Sequence, residues 1–64
     1  MRHLPLPIAR ARYGLSQAEL ARETHLSRNT IWRLETGRTL PSYETREALE
    51  RALGCKLAFS RDAS

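Results

Sequence analysis

Three serines and three glycines divide this chain into short helices. Ser16, Ser27 and Ser42 each precede a run of helix-forming residues, and Gly14, Gly37 and Gly54 each close one. A serine hydroxyl accepts from the free amides of a first turn, and glycine takes the left-handed conformation that ends a helix. The spacing predicts helices over about 7–13, 17–24, 28–36 and 43–53. Pro7 suits a first helical position, where its missing N–H costs nothing. Ser16 and Glu19 have the spacing of a capping box, and Leu15 and Leu20 that of a hydrophobic staple. The 64-residue length allows one domain at most and excludes large clefts, doubly wound sheets and barrels. A domain this small hides only about 60% of its unfolded surface. Its one cysteine, Cys55, rules out an internal disulfide, so packing must hold the fold.

Residues 1–6 read as an extended N-terminal arm, because Pro5 and Pro7 bias the residues before them away from helix. Arg2 and His3 sit on it. At the other end, over 55–64, the period changes. Cys55, Leu57 and Phe59 alternate with Lys56, Ala58 and Ser60, a strand pattern with one apolar face. A lone strand needs a partner edge. No second strand is legible, so the expected partner is the same strand of a second copy, with Cys55, Leu57 and Phe59 at a dimer interface. A short fifth helix is the competing reading, and 61–64 should fray. The expected core is Tyr13, Leu15, Leu20, Leu26, Ile31, Leu34, Leu49 and Leu53, with Ala18 and Ala21 facing inward beside Leu20. The expected fold class is all-α, a compact domain of four to five helices with the dimerising strand as its extension.

The informative unit is the pair of helices over 17–24 and 28–36, joined by about three residues. This is helix-turn-helix spacing, which presents the N-terminus of the second helix at a width suited to the DNA major groove. Arg28, Asn29 and Arg33 lie on that helix. Arg pairs with guanine and Asn with adenine, so these three are candidate base readers. Trp32 is exposed by helical period and is placed either against DNA or against the arm or the 38–43 loop. Net charge is +4, from 11 Lys and Arg against 7 Asp and Glu, which points toward a polyanion. Ten of the 11 basic residues are Arg, the side chain whose planar fork matches guanine edges and phosphates.

Several stretches taken together resemble the phage-repressor and Cro family, also called the xenobiotic-response-element family. They are Gly14 to Ala21, Leu26 to Ile31, Leu34 to Arg38, Pro41-Ser42 and Ala52 to Gly54. The likeness covers about 8–54. It implies a helix-turn-helix domain, here 7–54, that binds double-stranded DNA. It implies that Gln17 contacts phosphate and braces the recognition helix. It places Thr30, Arg38, Thr39, Ser42 and Tyr43 along the DNA backbone, and it pairs Arg10 with Glu35 in a structural salt bridge. The chain departs from the family where His25 replaces a turn glycine, where Trp32 is unusually large, and where Arg46 and Glu50 stand in place of Leu and Ala. The tail resembles the strand of antitoxin-type regulators, which pair across a dimer.

The function expected is a transcriptional regulator: a homodimeric repressor reading a palindromic operator, with half-sites about 34 Å apart. The alternative is an antitoxin or interaction module that neutralises a partner toxin or engages a second regulator, with or without DNA binding. No Cys/His set has zinc spacing, no serine has a matched histidine and acid, and no apolar run spans a bilayer. The expectation is therefore no metal, no cofactor, no enzymatic activity, no membrane and a cytoplasmic location.

Overall fold

The computed structural model describes residues 3–60. The elements run β1 (Leu4–Pro5), α1 (Leu6–Tyr13), α2 (Gln17–Thr24), α3 (Arg28–Glu35), α4 (Tyr43–Leu53) and β2 (Leu57–Ala58). All three serine caps form. Ser16 accepts from the Glu19 N–H at 3.0 Å, Ser27 from Thr30 at 3.0 Å and Ser42 from Thr45 at 3.2 Å. The capping box of α2 is complete, with the Ser16 N–H donating to Glu19 Oε1 at 2.8 Å. That backbone donor is the main reason the Glu19 carboxyl sits below its ordinary range.

Three helices end alike. The N–H of Leu15, Leu26 and Arg38 returns to the carbonyl five residues back, on Arg10, Ala21 and Arg33. In each case the preceding residue is left-handed: Gly14, His25 and Gly37. This closure satisfies carbonyls that a helix end leaves free. After α1 and α2 the residue it turns back is a leucine, and both leucines pack against the core. After α3 it is an arginine.

The core is Leu6, Ala9, Leu20, Ala21, Ile31, Leu34, Leu49, Leu53 and Leu57, drawn from all four helices and β2. Leu15 and Leu26 are half-buried against it. Two core expectations are corrected. Tyr13, the last residue of a two-turn helix, projects past the core and is exposed. Ala18 lies off the face that Gln17, Leu20, Ala21 and Thr24 share at helical spacing, and it faces out.

The tail forms a strand rather than a fifth helix, but its partner is in the same chain. The supposed arm folds back as β1, parallel to β2, with Leu4 opposite Leu57 and Pro5 opposite Ala58. The Leu4 N–H donates to the Lys56 carbonyl at 3.1 Å. Backbone alternation turns the Pro5 nitrogen away from β2, so the missing N–H breaks no bond. Leu57 is fully buried within its own chain, which removes it from a dimer interface. The outer edge of β2 is also occupied. The Leu57 N–H donates to Glu50 Oε2 at 2.9 Å, and Arg46 Nη2 donates to the Leu57 carbonyl at 2.9 Å. Arg46 and Glu50 bond each other at 3.3 Å, and together they fill the place of a third strand. Cys55 and Phe59 are half-buried beside Leu57. Arg2 and 61–64 lie outside the described residues.

Candidate nucleic-acid interface

Ile31 and Leu34 anchor α3 in the core, which turns the opposite face outward. Arg28, Asn29, Trp32 and Arg33 are all exposed on that face. The sequence-predicted readers are thus brought together on one helix surface about 12 Å long. His25 makes the tight turn possible. It holds φ 61° and ψ 30°, the left-handed conformation for which the family uses glycine. Histidine adopts it more readily than β-branched residues do, though at some cost.

The base of α3 is fixed by one carboxylate. Glu35 Oε2 accepts from Arg10 Nε at 2.6 Å, and Oε1 accepts from Arg10 Nη2 at 3.2 Å. The predicted pair is therefore bidentate. Arg10 Nη1 also donates to the Leu15 carbonyl at 2.9 Å, so α1, α3 and the start of α2 are tied at one point. The bond to Glu35 is the main cause of a raised Arg10 pKa. The third donor is the bracing residue that the family likeness implies: Gln17 Nε2 bonds Glu35 Oε1 at 2.9 Å. A carboxylate accepts only, so the amide nitrogen must face it. Gln17 keeps one further N–H for an outside acceptor while it braces α3.

The remaining predicted positions are unevenly prepared. Thr30 is half-buried, and its hydroxyl shares a 2.8 Å bond with Ser27. Thr39 is half-buried in the loop after α3. The Ser42 hydroxyl is bonded to Thr45, and the free groups at this corner are the first-turn amides of α4. Tyr43 donates its hydroxyl to Glu47 at 2.9 Å, which also raises the phenol's pKa. A phosphate would have to displace that carboxylate. Arg38 is exposed, with its guanidinium 4.9 Å from the centre of the Trp32 ring. Trp32 thus packs toward the 38–43 loop, one of the two placements expected.

The exposed face of α3 carries charge of one sign. Glu35 is the sole acid of α3, and its side chain is 6% exposed against Arg10 and Gln17. Arg28, Arg33 and Arg38 therefore face solvent with no α3 carboxylate beside them. Among the described residues, no group of three His, Cys, Asp or Glu is arranged to hold a metal ion. No described helix is long and apolar enough to cross a membrane.

Two short helices joined by a tight turn, with the second anchored by an apolar pair and presenting an exposed basic face, are the architecture that docks in the major groove. A family model described as a helix-turn-helix domain matches residues 6–58. No curated protein and no solved structure matches the chain. The match runs from the first residue of α1 through β2, and the chain belongs to the helix-turn-helix domain family.

Proposed function

We propose that this chain is a sequence-specific regulator that inserts α3 into the DNA major groove and acts as a repressor by occupying its operator. The observation that carries this reading is the face of α3. Arg28, Asn29 and Arg33 are exposed together, and the helix's only acid is turned inward. Arg28 and Arg33 are suited to guanine O6 and N7, and Asn29 to adenine N6 and N7. Gln17 and Arg38 flank that face, through the Glu35 bond and the Trp32 ring, and with Thr30, Thr39 and the amides at Ser42 and Tyr43 they are the proposed backbone contacts. Such contacts fix register and carry no sequence information directly.

We further propose a homodimer. Three reading side chains, each discriminating by about 1–3 kcal/mol, give limited specificity from one copy. Two copies related by a two-fold axis double the site and make it palindromic. The half-buried Cys55 and Phe59 are candidates for that interface; Leu57 is not.

Selection of bound duplexes from a random pool tests the reading. The expected result is an enriched palindrome with half-site centres about one helical turn apart. Arg28→Ala should then weaken operator binding by about 1–3 kcal/mol and relax preference at a single base pair in each half-site. Enrichment of no sequence, with binding equal across the pool, would overturn the specific role.

A further inference from the structure

We propose that Trp32 is a platform that orients Arg38 onto a DNA backbone phosphate, so that the two act as one contact. The inference rests on the DNA-binding reading above and names how one edge of that surface works. The turn after α3 is the same closure that ends α1 and α2, with the Arg38 N–H bonded to the Arg33 carbonyl at 2.9 Å and Gly37 left-handed. That closure commonly brings the turned-back residue against a side chain in the last turn of the helix. Leu15 and Leu26 use it to pack inward. Arg38 instead lies over the indole of Trp32, at 4.9 Å from the ring centre, and both side chains are exposed. A guanidinium over an aromatic face keeps its in-plane N–H groups free, and Arg is suited to bidentate phosphate contact in that plane. Trp32 lies one turn beyond Arg28 on the same face of α3, and a concavity lined by Gln17, Arg28, Asn29 and Trp32 opens beside it. The stack therefore borders the surface that carries the candidate readers. It fixes the direction of a side chain that would otherwise sample many rotamers, so less freedom is lost on binding.

A double-mutant cycle on the full chain tests this. Duplex affinity is measured over a range of salt for the parent, Trp32→Ala, Arg38→Ala and the double variant. Both residues are exposed, and circular dichroism checks that each variant folds. Arg38→Ala should weaken operator and non-operator duplexes alike by about tenfold and reduce the salt slope by about 0.9. Trp32→Ala should weaken binding about two- to fivefold, again without regard to sequence. With Arg38 already removed, it should cost nothing further. Arg38→Lys should keep the salt slope but lose the few-fold gain of the stack. Trp32 is the only tryptophan, so Arg38→Ala should also change its emission in the free protein. Additive losses, or a change of base preference on Trp32→Ala alone, would overturn the platform while leaving the DNA-binding reading intact. A parent protein that binds no duplex would overturn both.

Discussion

His25 shows how a single residue can be held against its own preference. Its φ of 61° places Cβ where only glycine is at ease, and the imidazole is exposed. His25→Gly should therefore stabilise the domain by about 0.5–1 kcal/mol, because strain relief exceeds the added freedom of the unfolded chain. In a domain this small the melting temperature should rise by about 2–8 °C, read by calorimetry. An unchanged or lower value would mean that the imidazole makes a contact worth more than the strain. Residue-scale features of this kind were the most legible from sequence. Caps, stops and the left-handed turn are set by neighbours within four or five positions. The Arg10–Glu35 pair and the bracing of α3 by Gln17 were legible only through family likeness, because both bonds join residues far apart in the sequence with no local signal, the second spanning 18 positions. Trp32 was correctly read as exposed from helical period, but its stacking on Arg38 depends on the path of the turn between them.

At the scale of elements, the alternation of the tail correctly gave a strand, while its partner was hidden. Two residues containing a proline carry no strand pattern, so β1 is visible only once folded. The departures at Arg46 and Glu50 were the available signal for the rest, since a charged pair in place of Leu and Ala requires polar partners nearby. Those partners are the N–H and carbonyl of Leu57. The Leu57 N–H is the largest influence holding the Glu50 carboxyl below its ordinary range, with Arg46 and Lys56 adding to it against the opposing effect of burial. A carboxyl with a lowered folded pKa stabilises the fold above its unfolded value of about 4.3, and that contribution is lost as pH falls through the folded value. Denaturant unfolding should therefore show stability falling as pH drops below about 4. Glu50→Gln should lower stability at pH 7 by about 1 kcal/mol and flatten part of this acid decline, leaving the share due to Glu19. A variant with the full decline would exclude Glu50 as a source. An edge already filled by side chains is also poorly disposed to accept a strand from another molecule.

For the whole molecule, Leu57 decides between two accounts of how a short chain completes its core. The sequence suggested completion by a second copy; the structure completes it from within, using both ends of the described chain. Stability for 64 residues is of order 3–10 kcal/mol, and Leu57→Ala should remove about 2–4 of it by leaving a cavity. Because the contact is internal, that loss should be independent of protein concentration when followed by urea unfolding. A loss that shrinks at high concentration would return Leu57 to an intermolecular role. The pairing of Leu4 with Leu57 has a further consequence for how the molecule comes into being. It joins positions near opposite ends of the sequence, so during synthesis the four helices emerge before the residue that closes them. Long-range contacts repay their closure entropy only after it has been spent. A nascent chain halted before Leu57 would carry α3 but lack the side chain that seals its core, so the packing that holds α3 in place would wait until β2 had emerged.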